Sequence, residues 1–252
     1  MTTLLNDKIQ AYGNEKVCMV LTKSEDLNTE KNITIERGAK LKLTIINKIE
    51  EANRCESQLT IKQEEDSQLE LVVVYLGKGT SNEVINIHLE GDGSRCSLHS
   101  AYLIDDTTKY EMGYNIYHEG KRTVSDVVVK GALLDEAQKN FNGNLYFKRG
   151  SKGSNGSEVE EALLISPKAK SYGIPALWCD EEDIMGNHAA SSGKLSKDKL
   201  FYLMSRGLSE KEAKYLMVEA AISPILDRIE DADLKEELHD EVSRRMGNEQ
   251  LS

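Results

Sequence analysis

The sequence predicts a mainly β chain that ends in a small α-helical region. Three observations predict it. From about residue 16 to 190 the apolar residues recur in short runs with the two-residue period of half-buried strands. Glycine-containing turn signals such as Glu90-Gly91-Asp92-Gly93 separate several of these runs, because glycine reaches backbone conformations closed to other residues. From residue 196 the period becomes helical. The expected division is 1–193 for the β body and 194–252 for the helical region.

Taken in order, Ile33 and Ile35, then Leu41, Leu43 and Ile45, then Leu59 and Ile61 each place apolar residues on one side of a strand and polar ones on the other. Residues 69–75 are β-branched and more fully buried, and Ile85, Ile87 and Leu89 alternate again. Residues 127–129, 133–134, 145–147 and 163–165 continue the series, and Gly150 to Ser157 reads as a flexible loop. Many short strands with turn signals fit a sandwich, a barrel or a β-solenoid. No exact short repeat chooses among the three.

Ser196 is the expected N-cap of a first helix with Leu200, Leu203 and Met204 on one face, and Gly207 is its expected stop. Ser209 and Glu212 have capping-box spacing, and Ala213, Leu216, Met217, Ala220 and Ala221 form the apolar stripe behind them. Pro224 is expected to break or restart this helix. Asp233 is expected to cap a last helix carrying Leu234, Leu238, Val242 and Met246. Helices this short cannot bury a core alone, so they must pack on the body or on a partner. The plainest such role is to cover an open end of the sheet.

Composition narrows the function. Of 252 residues, 39% are hydrophobic and 30% charged, and 32 basic against 43 acidic residues give a net charge of -11. That balance disfavours general binding to nucleic acid or anionic membranes, whose phosphates want a basic face. No apolar run approaches the roughly 20 residues of a membrane span, and the N-terminus lacks a signal-peptide core, so the expected location is cytoplasmic. The sequence has neither a Walker A loop nor a Gly-x-Ser-x-Gly elbow, which argues against an ATPase and against the commonest hydrolases.

Cys18, Cys55, Cys96 and Cys179 are widely spaced and form no Cys-x-x-Cys pair. The first three lie in strand-like context and read as core. The densest chemistry is at 175–188, which holds the sole Trp, Cys179, four consecutive acids and His188. If 177–181 is a strand, Leu177, Cys179 and Glu181 share one face while Trp178 and Asp180 share the other. A thiolate beside a carboxylate suits iron or an iron–sulfur cluster better than calcium or magnesium. Two ligands cannot hold a cluster, but a two-fold homodimer would present two copies of each. Against this, a lone cysteine is most often a small buried hydrophobe. His88, His99, His118 and His188 read as hydrogen-bonded structural histidines, and His239 as a solvated helix residue.

The run Gly186-Asn187-His188-Ala189-Ala190-Ser191-Ser192-Gly193-Lys194-Leu195, with Lys199-Leu200-Phe201-Tyr202-Leu203-Met204-Ser205-Arg206-Gly207-Leu208-Ser209, resembles the C-terminal signature of the SufB/SufD family. These are scaffolds of Suf-type iron–sulfur cluster assembly. Ser125-Asp126 to Lys130-Gly131 and Phe141-Asn142-Gly143 resemble two further family segments, and the likeness spans roughly residues 80 to 225. The resemblance implies a right-handed parallel β-helix followed by a helical domain. It implies pairing of two subunits through their β-helices and docking of a separate ABC-type ATPase, SufC, on the helical domain. His188 matches the family's interface histidine. The 201–209 run matches the ATPase dock, where Phe201, Tyr202, Leu203, Arg206, Gly207 and Leu208 are the expected contacts.

Two positions depart from the SufB branch: Ala189 stands where a glutamate follows the histidine, and Ala169 is aligned where a cysteine is expected. The long N-terminal extension is not seen either. The resemblance therefore implies a compact, homodimeric scaffold that is itself no enzyme. It would hold a transient [4Fe-4S] or [2Fe-2S] cluster through Cys179 and Glu181, with His188 nearby, for transfer to recipient apoproteins. Two rivals stand beside it: a cluster-free structural partner of the ATPase, and a β-helix hydrolase or lyase with an acid-lined groove on its flank.

Overall fold

A computed structural model describes residues 8–21, 27–49 and 53–247. Among them the chain forms β1 (Lys8–Ala11), β2 (Asn14–Leu21), β3 (Leu27–Ile35), β4 (Lys40–Asn47), β5 (Arg54–Gln63), β6 (Gln68–Tyr75), β7 (Thr80–Leu89), β8 (Arg95–Ile104), β9 (Lys109–His118), β10 (Val124–Leu133), β11 (Gln138–Phe147), β12 (Ser154–Leu164), β13 (Lys170–Cys179) and β14 (Ile184–Lys194). Three helices follow: α1 (Lys197–Ser205), α2 (Glu210–Leu226) and α3 (Ala232–Arg245). The odd-numbered strands make one seven-stranded sheet and the even-numbered strands another, each in chain order. All of the pairings are parallel, and neighbours repeat about one turn apart: Ile87 pairs with Ile116, and Ile116 with Leu145. This is a parallel β-solenoid of two strands per turn. Sandwiches and up-and-down barrels pair their strands mostly antiparallel.

The alternation read from the sequence supplies the interior. Ile33, Ile61, Ile87, Ile116 and Leu145 stack in one inward column of the odd sheet, and Leu43, Leu71, Leu98 and Val127 in one column of the even sheet. All are buried in a single core. Each fully buried Leu or Ile contributes about 1.5–3 kcal/mol, and repeating the same side chain turn after turn keeps the layers in register. Corners between strands turn at left-handed residues, among them Asp66 (φ 56°), Asp106 (φ 55°) and Asp135 (φ 48°), a conformation that Asp tolerates better than most residues. The run expected as a loop at 150–157 is only half one: Gly150 to Gly153 form a turn, and Ser154 already begins β12, whose polar inward residues hid it.

The outer face of the even sheet is also apolar. Ile46, Val72, Val74, Ala101, Leu103 and Ala132 pack under Val218, Ile222, Ile225 and Leu226 of α2 and Leu234, Leu238 and Val242 of α3. The helices therefore cover a flank of the solenoid and not its open end. Arg245 fastens α3 to the sheet through Asp105 (2.7 Å) and the Leu76 carbonyl (2.7 Å).

Several helix expectations hold in detail. The Ser196 side chain accepts from the Lys199 N–H, and Ser209 with Glu212 forms both bonds of the capping box. Others are corrected. Asp231, not Asp233, caps α3 through the Leu234 N–H. Pro224 lies inside α2, so close to its end that little of the hydrogen-bond ladder is left to break. Leu216, Met217, Ala220 and Ala221 do share one groove, lined also by Leu203 of α1 and by Lys130, Glu161 and Leu163 of the sheet, but the α2 residues buried in the cluster against the sheet are Val218, Ile222, Ile225 and Leu226. His239 is not simply solvated: its Nδ1 lies 2.7 Å from Glu219 and ties α3 to α2.

Candidate functional site

The last turn of the solenoid has no turn above it, since β13 and β14 are the final strands of their sheets. Its residues are correspondingly exposed or half-buried. Register shows which of them face inward. Cys179 lies over Phe147, and Leu177 over Leu145. On the other sheet His188 lies over Glu158, and Ala190 over Glu160. Phe147, Leu145, Glu158 and Glu160 are all buried inside the solenoid. Cys179 and His188 therefore sit on the two opposing walls of one open mouth.

Glu181 is placed differently from the sequence expectation. The strand ends at Cys179, so strand alternation does not extend to it. Its carboxylate accepts the N–H groups of Gly150 (3.0 Å) and Glu182 (3.1 Å). These backbone bonds, that to Gly150 foremost, hold the Glu181 carboxyl below its ordinary range. Trp178 does face the opposite way from Cys179, stacking on Tyr146 with ring centres 6.0 Å apart. Among the described residues, Cys179, Glu181 and His188 of one chain do not converge as a three-ligand set.

Beneath the rim the lumen is ionisable, and the sequence reading passed over these residues. Lys139 and Glu160 form a fully buried ion pair. The Lys139 ammonium also lies over the rings of Tyr102 (5.3 Å) and Phe141 (5.6 Å). Burial pulls the Lys139 pKa down, and the Glu160 carboxylate opposes that pull. Glu158 is 2% exposed, and its Oε1 has no hydrogen-bond partner. Desolvation first, and the Glu160 charge second, push its carboxyl up to about 7. A Cβ at Gly143 would come 2.0 Å from Glu158 Oε1, so glycine is what leaves room for this carboxylate. A Cβ at Gly173, in the last turn, would come 2.7 Å from Glu160 Oε2. The lid above Glu160 is thus only a glycine and an alanine. The detectable signal was alternation itself: positions 158, 160 and 162 share a face, and two of the three are acids where a strand interior calls for apolar residues.

Next to this floor, His118 is buried. Its Nδ1 lies 2.7 Å from Thr123 Oγ1 and its Nε2 2.9 Å from Ser125 Oγ, and it stacks on Phe147 at 4.4 Å. Desolvation holds its pKa down to about 3, so it is a neutral structural histidine, as is the reading for His99, whose Nε2 lies 2.7 Å from Ser97 Oγ. Cys55 and Cys96 are buried and Cys18 is half-buried, and burial raises the thiol pKa of each. Cys179 alone is exposed.

The helical region presents a second surface. No residue of α1 is buried, and Phe201 (75%) and Tyr202 (56%) are among the most exposed large apolar side chains. Arg206 lies 5.2 Å over the Tyr202 ring, and Gly207 stops the helix at φ +99°. Leu203 and Leu208 are half-buried. Leu203 lines a groove of about 510 Å³ with Leu216, Met217 and Ala220 of α2. Among the described residues no helix is long and apolar enough to cross a membrane.

Residues 11–221 match the family described as SUF system FeS cluster assembly, SufBD core domain. The iron-sulfur cluster assembly protein SufD of Bacillus subtilis is 26% identical over 181 residues, covering 72% of this chain and 41% of that protein. A SufBD family iron-sulfur cluster assembly protein of Mycobacterium bovis is 28% identical over 181 residues, covering 69% of this chain and 46% of its own. One from Mycobacterium leprae is 30% identical over 149 residues, 59% of this chain and 16% of its own. The chain spans less than half the length of these curated relatives.

Proposed function

The chain belongs to the SufBD core family of Suf-type iron–sulfur cluster assembly, and on that footing we propose that it is the cluster-holding scaffold of such a system. It dimerises through the open ends of two solenoids, docks an ABC-type ATPase through residues 194–252, and carries a nascent cluster at the dimer interface for transfer to apoproteins. It performs no catalysis of its own. The observation that supports this reading is the open last turn: two uncapped strand edges, with the exposed thiol of Cys179 and the imidazole of His188 on opposing walls. Unpaired edges want strands, and a second copy supplies them. The same pairing would duplicate a donor set that one chain leaves incomplete.

In this arrangement Cys179 supplies a thiolate to iron, and His188 a ring nitrogen. Glu158 sits one turn below His188. With its carboxyl near neutrality, it can take up or release a proton as the ligands above it exchange. Glu181 joins the ligand set only by exchanging its bonds to Gly150 and Glu182 for iron. Cys179→Ser is expected to abolish the visible absorbance gained on anaerobic reconstitution with iron and sulfide, while sedimentation still reports a dimer. Undiminished absorbance removes the ligand assignment.

A second reading is that the chain is a cluster-free partner of the ATPase. The occupied carboxylate of Glu181 favours it. Reconstitution of the unaltered chain separates the two, because a cluster-free partner gains no absorbance. For the dock, the double change Phe201→Asp and Leu203→Asp is expected to stop copurification of the ATPase while circular dichroism stays native, since no residue of α1 is buried. Retained copurification moves the dock elsewhere.

A further inference from the structure

A different flank of the solenoid brings metal-binding side chains together. His88 is the penultimate residue of β7, Glu90 follows that strand, and Glu119 follows β9. Leu89 pairs with His118, and the Glu119 N–H donates to the Leu89 carbonyl (3.1 Å), so Glu90 and Glu119 occupy the same corner on successive turns. Two carboxylates stacked at one strand spacing repel each other. One ligand atom from each of His88, Glu90 and Glu119 lies within 4.8 Å of the other two, the single such trio among the described residues.

The imidazole is held for the task. His88 stacks on Tyr117 at 4.5 Å and 10°, and Tyr117 on Tyr146 at 4.6 Å and 9°, which fixes the plane of the ring. Its Nδ1 lies 3.3 Å from Glu119 Oε1. Lys62 reaches one oxygen of Glu90 (3.1 Å), which leaves that carboxylate a second oxygen. The side chains of His88, Glu90 and Glu119 are 26%, 43% and 33% exposed, so the corner is open to an ion and its remaining waters.

We propose that His88, Glu90 and Glu119 form a surface site for one borderline divalent transition-metal ion such as Zn²⁺. One imidazole nitrogen and two carboxylate oxygens make three protein ligands, with further positions left to water. The imidazole selects against calcium and magnesium, which prefer all-oxygen sets. The site lies on β7 and β9, away from the terminal turn formed by β13 and β14, and needs no second subunit.

The test is calorimetric titration of the whole chain with Zn²⁺. The variants are His88→Phe, which keeps a ring to stack on Tyr117, Glu119→Gln, and the double change Cys179→Ser with His188→Ala. The expected result is one ion per chain for the unaltered protein, with affinity lowered about tenfold or more by His88→Phe and by Glu119→Gln. The Cys179/His188 variant is expected to keep it. Binding that survives both flank variants, that is lost only with the Cys179/His188 variant, or that is absent altogether overturns the assignment. Thermal unfolding in EDTA shows that the variants are folded; a His88→Phe chain that is unfolded there leaves Glu119→Gln to decide.

Discussion

The same inward column of the even sheet has two chemistries. In its lower turns it reads Leu43, Leu71, Leu98 and Val127; in its last two turns it reads Glu158 and His188. The backbone and the pairing do not change between them. What changes is access. The lower turns are sealed above and below, so an ionised group there would lose its water with no return. The last turn is open, so His188 is exposed at its rim and Glu158 lies one turn beneath it. Deeper in the lumen a buried carboxylate is instead held by hydrogen bonds: Glu83 of β7 accepts from Asn47 and from Ser81.

The largest expected effect lies at the boundary between the two. Lys139→Met strands the Glu160 carboxylate in the lumen, and loss of one partner of a buried ion pair costs about 3–5 kcal/mol in urea unfolding. The double change Lys139→Met with Glu160→Leu is expected to recover most of it. A recovery that fails would mean that the pair is needed for more than mutual neutralisation. In the sealed half, Leu71→Ala removes a fully buried side chain and costs about 3 kcal/mol, with no effect on cluster reconstitution.

Glu158 gives the comparison a pH signature. Its folded-state pKa of about 7 lies above the ordinary carboxyl value of 4.5, so the folded protein binds more protons between those limits. That contribution to stability is complete below about pH 4.5 and is lost as pH rises through 7. Glu158→Gln, which cannot ionise, is expected to be up to about 3 kcal/mol more stable than the unaltered chain at pH 8 and nearly equal to it at pH 4.5. Equal stability at both would mean that the carboxyl is solvated. The smallest effect is expected at the rim. Cys179→Ser should change unfolding by no more than about 0.5 kcal/mol, since the side chain is exposed, even though it removes the cluster.

How much of this was readable depended on what the inward positions hold. β3, β4, β5 and β7 announce themselves because Ile, Leu and Val alternate with polar residues, and β6 because its apolar run is nearly continuous. β9 is harder to see, because its inward positions include Tyr110, Met112, Tyr114 and His118, with Gly113 and Asn115 between them. β14 carries hardly any apolar residue after Met185, since it has no neighbour to cover it. Cys179 was legible as a lone thiol among acids, and its inward-facing place at the rim agrees with the face it was assigned. Glu181 was not legible, because the strand stops two residues earlier than the pattern suggested. Glu158, Glu160 and Lys139 were passed over for a different reason, although the alternation around Glu158 and Glu160 carried a signal. Charged residues default to solvent, and only closure of the turn puts these three inside. The 201–209 run was legible as a motif, but the sequence could not say that α1 buries no residue while α2 and α3 carry the packing.

By itself the sequence determined the alternating strands, the switch to helix near 196, the caps at Ser196 and Ser209, and, through its motifs, the family. These are local properties, written in side chains a few residues apart. Whether the strands close as a sandwich, a barrel or a coil was decided only by tertiary structure, because parallel pairing joins residues some 29 positions apart and leaves no short-range mark. The same long-range pairing decided which acids are buried, which end stays open, and that His88, Glu90 and Glu119 share one corner.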